Sequence, residues 1–363
     1  MKKLNFFLLL GGLLFFVVLI EKTGTTELCN ELKLLGWGLL PFVLGEGVAE
    51  MIHTVGWRYC LEQPYRSISW WRLYQIRMAG YALNYLTPTA ALAGEAAKIN
   101  LLALSYRGPK AASGVLIEKL CFPFAQVLFV LIGSVLLVGR VHLPKSLWVS
   151  MLLSVSAVTG GILLFYFLQK KGKLCSIIRW LAARRPGSPA LHKVSQQTNR
   201  VDDALRDFYT HQSRNMWIAI SWHLLGYCIG FFQTWIFLHS VGEGTALPIV
   251  AAIWFLGMWF DLLTFAIPLN MGSLEGSRMI VFKAIGYPAL PGMAYGLAIR
   301  ISQIFWSIVG LTIYGYLTAK SRKDITESPG ALRYFKVLPA LLGKSLALFY
   351  GCSNKRQIRN YKP

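Results

Sequence analysis

The sequence predicts an all-α, polytopic integral membrane protein, and three observations lead to this fold class. Of its 363 residues, 55% are hydrophobic and 15% are charged, whereas a soluble domain carries about 25% charged residues. The lysines and arginines also form clusters between long apolar segments rather than one stripe. This composition excludes a soluble, disordered or nucleic-acid-binding protein, although the formal net charge is +21.

A transmembrane helix needs about 20 mostly apolar residues, and ten segments approach or exceed this requirement. We interpret the first as a retained helix, because the residues after it contain no small-x-small signal-peptidase site. Two segments, 89–105 and 270–285, are short, carry charge and follow a proline. We therefore expect about eight spans plus two proline-broken hairpins, each either a pair of full spans or re-entrant. The segments are 4–20, 34–57, 73–87, 89–105, 111–138, 146–168, 215–240, 246–267, 270–285 and 290–317.

Clusters of Lys and Arg mark the cytoplasmic ends of spans, and their positions predict the orientation. Both termini are cytoplasmic if each hairpin returns to the side from which it starts. We expect the basic loop and the tail to contact anionic lipid, the tail through an amphipathic stretch over 334–350. The net charges are −1 for the expected loop 21–33, +3 for 58–77, +7 for the loop 169–214 and +8 for the tail 318–363.

An internal repeat surrounds the two proline breaks. In both copies a proline is followed seven residues later by glutamate and three residues further by a cation, and the copies are offset by 180 residues. Because the hairpins start on opposite sides, the repeat is predicted to be inverted. Such repeats with broken helices are typical of secondary transporters. We assign repeat 1 to about 34–138 and repeat 2 to about 215–317, within one transmembrane domain over 1–317.

Ionisable side chains inside the apolar segments are the candidate site. A charge at the bilayer centre costs at least about 2.5–3.5 kcal/mol, so it needs a partner or an aqueous path. Glu95 with Lys98, and Glu275 with Arg278, have the i,i+3 spacing of a helical ion pair; static pairing and a role facing substrate both remain open. Candidate substrate-binding residues are Asn84, Pro88, Glu95, Lys98, Glu118, Lys119, Pro268, Asn270, Glu275, Arg278 and Arg300.

A second polar face lies on the segment 34–57. Glu46, Glu50 and His53 are spaced i, i+4, i+7, and we interpret the two carboxylates, together with Asp261, as a candidate proton path; His53 alone also fits simple packing. The six cysteines are scattered, and the chain has no Walker A, GxGxxG, GxSxG or HExxH motif. We therefore expect no catalytic residue, no metal and no cofactor.

The order Asn, Pro, Gly-Glu-x-x-basic, followed later by Pro, Gly and Glu and a downstream Arg, resembles a known family. It is similar to the lysylphosphatidylglycerol synthase transmembrane-region family, the flippase-like half of the multiple peptide resistance factor and its stand-alone relatives. The resemblance covers about 5–317 and implies lipid translocation across a bacterial cytoplasmic membrane. Members often have Arg at the position of Lys98, and many are richer in Pro and Gly where this chain has 269–271.

The sequence thus predicts a non-enzymatic lipid flippase for a polar, charged head group. Three alternatives remain: a membrane partner subunit of a lipid- or glycolipid-modifying enzyme, a membrane-embedded transferase, and a transporter of a small soluble solute. In the flippase hypothesis a lipid-synthesising enzyme is a candidate partner, and nucleic acid is not. In this hypothesis the phosphate is bound by four cations: Lys98, Lys119, Arg278 and Arg300. Three glutamates, Glu95, Glu118 and Glu275, would orient these cations, bind a cationic part of the head group or carry protons.

Overall fold

A computed structural model describes residues 14, 17–21, 23–87, 92–105, 110–137, 144–171, 180, 203, 205–264 and 267–326. Every regular element in these residues is helical, which confirms the predicted all-α class for this part of the chain. The α-helices of the described residues include α1 (Thr25–Leu34), α2 (Leu39–Cys60), α3 (Trp70–Leu86), α4 (Leu92–Ser105), α5 (Lys110–Leu137), α6 (Lys145–Lys170), α7 (Ser213–Ser240), α8 (Leu247–Thr264), α9 (Ser273–Ala284) and α10 (Ala289–Thr326).

The prediction of a loop over 21–33 is wrong in part, because α1 occupies most of these residues. This helix buries Leu28 and packs against α10. Its axis is bent by 79° from the helical stretch that follows, and Gly36, at φ +46°, lies at this bend. A positive φ is a conformation that glycine adopts without strain, so the chain can turn by 79° between α1 and the start of α2.

Helices α2 and α7 form an antiparallel pair. Gly38 faces Ser240 near one end, Gly45 faces Gln233, and Gly56 faces Ala219 near the other end. The Gln233 side chain also donates to the carbonyl of Phe42 at 2.9 Å. Glycine along this face lets the two backbones approach closely, as in other membrane helix pairs.

Two further antiparallel pairs flank α2 and α7. Helix α3 packs on α10, where Gly310 lies against the carbonyl of Met78. Helix α5 packs on α8, where Gly133 lies against the Phe255 ring and a side-chain amide of α5 donates to α8. Helices α2 and α10 also touch, as do α5 and α7. Eight helices, α2–α5 and α7–α10, therefore enclose one central space.

The two short charged segments form short helices, as the proline breaks predict. Helix α4 has 14 residues and α9 has 12, or about 21 and 18 Å at 1.5 Å per residue. Neither reaches across a hydrocarbon core of about 30 Å. Each packs against both the helix before it and the helix after it, α3 and α5 for α4, and α8 and α10 for α9.

The second break is resolved in detail. A 3-10 turn, Pro268–Asn270, precedes α9, and Leu269, Asn270 and Gly272 have φ values of 60°, 46° and 70°. Left-handed backbone at a non-glycine residue costs about 1–3 kcal/mol and persists only where surrounding contacts hold it.

Pro88 at the first break and the tail stretch 334–350 lie outside the described residues, as does most of the segment 4–20 and of the loop 169–214.

Several helices have the dimensions of membrane spans. In the described residues, α5, α6, α8 and α10 are long and apolar enough to cross a bilayer, and the bent α1–α2 pair is a fifth if it counts as one span. Helix α6 exposes large apolar side chains such as Val149, Leu152 and Leu164. These features fit an integral membrane protein.

Candidate functional site

A cavity of about 400 Å³, with many charged side chains in its lining, lies between α2–α5 and α7–α10. Its volume falls within the range of natural small-ligand sites, about 300–1,000 Å³. Both proline-broken units contribute to its wall, through Glu95 and Lys98 of α4 and through Arg278 of α9. The cavity is therefore the place where the two units meet.

The first unit carries a buried network of alternating charges. Arg77 of α3 pairs with Glu50 of α2 at 2.5 Å and with Glu118 of α5. Lys98 of α4 pairs with the second oxygen of Glu118 at 2.6 Å and with Glu95 at 2.7 Å. Four helices thus share one network in which every carboxylate contacts a cation, as buried charges require.

Asn84 positions Glu95 in that network. Its side-chain oxygen accepts from the backbone N–H of Gly94 at 2.8 Å, and its amide donates to Glu95 at 3.2 Å. The N–H groups in the first turn of a helix lack intrahelical acceptors, and Asn84 supplies one for Gly94 near the start of α4. Gly94 itself lies against the carbonyl of Gly80, which lets α3 and α4 approach closely enough for this contact.

Arg278 forms the first ion pair of the second unit. The guanidinium of this α9 residue is 1% exposed and binds both oxygens of Asp261, on α8, at 3.1 and 2.8 Å. It also donates to the carbonyl of Gly257 at 3.0 Å. A bidentate guanidinium–carboxylate pair is the strongest geometry available to these groups, and it joins α9 to α8.

Arg300 forms the second ion pair and stabilises the break. It binds both oxygens of the fully buried Glu275 and donates to the carbonyls of Leu269 at 3.1 Å and Asn270 at 3.0 Å. It also reaches the hydroxyl of Tyr85, at the end of α3, at 3.3 Å. Since irregular backbone at membrane depth needs partners within the protein, Arg300 satisfies the carbonyls that the break frees.

The comparison with protein families gives one decisive match. The family model for the lysylphosphatidylglycerol synthase transmembrane region covers residues 5–310. The chain belongs to this family. The suspected resemblance is thereby confirmed over most of the chain. Neither the curated proteins nor the solved structures gave a match.

In this family member the cavity gathers most of the residues that the sequence singled out. Glu275 and Arg300 lie next to the cavity, where Arg300 binds the carbonyl of the lining residue Asn270. Pro88 and the side chain of Pro268 lie outside the described residues. The lining includes ten of the predicted residues: Glu46, Glu50, Asn84, Glu95, Lys98, Glu118, Lys119, Asp261, Asn270 and Arg278.

One of the two suggested helical pairs forms and the other does not. Glu95 and Lys98 are in contact, whereas Glu275 binds Arg300 and Arg278 binds Asp261. Static pairing between Glu275 and Arg278 is therefore wrong. The physical reason is geometric, because partners on neighbouring helices offer each guanidinium both carboxylate oxygens.

Arg77 is the residue of the charged network whose position the sequence analysis gets wrong. It was counted among the cytoplasmic charges of 58–77, yet the structure buries it between two carboxylates. A signal was present, since Arg77 lies inside the predicted segment 73–87 and seven residues before Asn84, on the same helical face. His223 was also missed; it lies 3.2 Å from His53, nitrogen to nitrogen, and joins α7 to α2.

Asn270, a candidate substrate-binding residue, stabilises the backbone at the second break. With its amide nitrogen turned towards α8, its side chain donates to the carbonyls of Thr264 at 3.1 Å and Ile267 at 3.3 Å. Its own carbonyl accepts from Arg300. Asn270 and Arg300 therefore hold the second break from two sides, as Asn84 holds the start of α4.

Proposed function

We propose that this protein is a lipid flippase, in which a polar, charged head group crosses the membrane through the central cavity. The acyl or polyprenyl chains would remain in the bilayer. The observation that carries the proposal is the cavity itself, lined by ionised side chains from both broken-helix units. Membership of the family supports a lipid-related membrane function, and the cavity supports transport in particular.

The pattern of helix packing supports an internal two-fold repeat. In such a repeat the helices α2, α3, α4 and α5 correspond to α7, α8, α9 and α10, in this order. Exchanging the two sets maps the contact between α3 and α10 onto the contact between α8 and α5. It also maps the contact between α2 and α10 onto the contact between α7 and α5. The contacts α2–α3, α3–α4 and α4–α5 likewise become α7–α8, α8–α9 and α9–α10. All of these contacts are present, and α2–α7 is the pair that maps onto itself.

The direction of α2 and α7 supports an inverted arrangement. Two antiparallel neighbours can be exchanged only by an axis perpendicular to both helices, which lies in the membrane plane when the helices cross it. Transporters with this symmetry bind substrate near the midplane, between discontinuous helices. The ion pairs at the two breaks would then occupy equivalent places in the two halves.

Substrate binding in this scheme requires exchange of ion pairs. Lys98 and Arg278 are each held by carboxylates at 2.6–2.8 Å, so a phosphate must replace or join those partners. Lys119 is freer, because its side chain is 42% exposed and its contact with Glu95 is 3.3 Å long. We assign first contact with an anionic head group to Lys119, since charge-assisted hydrogen bonds to phosphate are strong.

The location and the partners belong to the same proposal. We infer a bacterial cytoplasmic membrane with both termini cytoplasmic, because the loop 169–214 and the tail 318–363 carry net charges of +7 and +8 and positive segments stay inside. Anionic lipid would bind these segments. A lipid-synthesising enzyme would supply the substrate, and the chain itself would not act as an enzyme.

The test is flipping by the purified protein in proteoliposomes with head-group-labelled lipids. The labels are destroyed from outside by a membrane-impermeant reductant, so flipping raises the destroyed fraction above that of protein-free vesicles. We expect this rise for one head-group class, and native mass spectrometry should find the same lipid retained after purification. If the protein flips nothing for any charged class yet co-purifies with a lipid-modifying enzyme, it is a partner subunit and the proposal is wrong.

A further inference from the structure

The carboxylates of the cavity fall into two classes. Glu50, Glu95, Glu118 and Asp261 each contact a lysine or arginine from another helix. Glu46 differs, because its hydrogen bond comes from the neutral phenol of Tyr81, at 3.2 Å. Among the described residues no ion pair to Glu46 is formed.

The surroundings of Glu46 disfavour its negative charge. The side chain is partly buried, lines the cavity and follows the glycine that packs against Gln233 of α7. Glu50 lies one turn away on the same helix, and Asp261 of α8 adds a second negative charge nearby. The cavity cations, Arg77 of α3 and Arg278 of α9, are engaged by other carboxylates.

A carboxyl group in such a place exchanges protons readily. Burial without a cation and proximity to like charges both favour the neutral acid. The neutral acid can hold its proton while Tyr81 donates to its carbonyl oxygen. Because Glu46 faces the same space as the head group, its proton and the substrate share one cavity.

We propose that Glu46 is the proton-binding site of the transporter and couples lipid movement to the proton gradient. A proton from the cavity binds a carboxylate oxygen of Glu46 and is released to the opposite side when the cavity reopens there. The earlier candidates Glu50 and Asp261 act instead as fixed partners of Arg77 and Arg278. This inference rests on the proposed flippase function, but the proton site can be measured without transport.

The transport arm measures flipping in proteoliposomes with and without an imposed pH gradient. We expect the gradient to change the wild-type rate, and the ratio of the two rates to fall to one in Glu46→Gln. Glu46→Asp, which keeps an ionisable group, should retain part of the response. Glu243→Gln, outside the cavity in the α7–α8 loop, is the matched control and should respond like wild type.

The second arm uses difference infrared spectroscopy of the purified protein across a pH titration. The protonated-carboxyl C=O band should grow as the pH falls, be absent in Glu46→Gln and be shifted in Tyr81→Phe. A gradient response that survives Glu46→Gln, a response to sodium in place of protons, or a band unchanged by Glu46→Gln would overturn the proposal. If wild-type protein flips nothing but Glu46 carries the band, the flippase proposal fails while the proton site stands.

Discussion

At the scale of single residues, the site is built from charges that neutralise one another across helices. Arg77 illustrates the limit of sequence reasoning, since a count of charges cannot distinguish a cation at the end of a span from a buried one. Arg77 is buried against Glu50, which lies 27 residues earlier in the sequence. The Glu95–Lys98 pair was predictable from its spacing. The partners of Glu275 and Arg278 were not, because i,i+3 spacing describes one helix and the competing carboxylates and cations lie on others.

Removal of Arg77 should be strongly destabilising. Arg77→Met would leave Glu50 and Glu118 without their shared guanidinium, and breaking a buried ion pair on one side costs about 3–5 kcal/mol. Thermal or denaturant unfolding in detergent would measure this loss. Lys145→Met, at an exposed position at the start of α6, should change little. Equal stabilities for the two variants would contradict the buried network.

Lys119 should separate substrate binding from stability. Since an exposed ion pair contributes about 0–1 kcal/mol, Lys119→Gln should leave the free energy of unfolding nearly unchanged. Its flipping rate should nevertheless fall at least about tenfold, because a hydrogen bond to a charged group contributes about 1.5–3 kcal/mol. Lys145→Gln should keep both properties. An unaltered flipping rate in Lys119→Gln would show that Lys119 does not contact the head group.

At the scale of elements, the helices could be predicted and their entry geometry could not. Apolar length located α2–α10, and the prolines located the two breaks. The helix α1 was taken for a loop because its charged residues obscured the apolar positions that pack on α10. The bend at Gly36 depends on one backbone angle, which the number of apolar residues in a segment does not predict.

The α3–α4 hairpin depends on the absence of a side chain at Gly94. A Cβ there would collide with the carbonyl of Gly80 and with Asn84, so Gly94→Ala should separate the helices and cost about 1–3 kcal/mol. Gly160→Ala is the matched control, because a Cβ at this helical position meets open space. It should be neutral or stabilising by up to about 1 kcal/mol. Unfolding measurements that rank the two variants in the opposite order would contradict this packing.

At the scale of the whole molecule, the account depends on two broken-helix units that face one cavity. The internal repeat was visible as a spacing of Pro, Glu and a cation. Its spatial meaning required the structure, because only the contacts show that α2 and α7 are antiparallel and that Arg300 links the second break to Tyr85 of the first unit. A transport cycle would have to break and re-form these contacts in turn.

The central claim is therefore that charged residues at both breaks move the lipid head group. Glu275 is fully buried against Arg300, so its removal affects folding as well as transport. Glu275→Gln keeps the hydrogen bonds of Arg300 to the carbonyls of Leu269 and Asn270. Measuring flipping at matched amounts of folded protein therefore separates the effect on transport from the effect on folding.

The most direct measurement is flipping in proteoliposomes by Glu95→Gln and Glu275→Gln, at matched amounts of folded, inserted protein. The account predicts that both variants lose at least about nine-tenths of wild-type flipping. Glu27→Gln, on the exposed face of α1, should keep it. Full activity in both Glu95→Gln and Glu275→Gln would contradict the account.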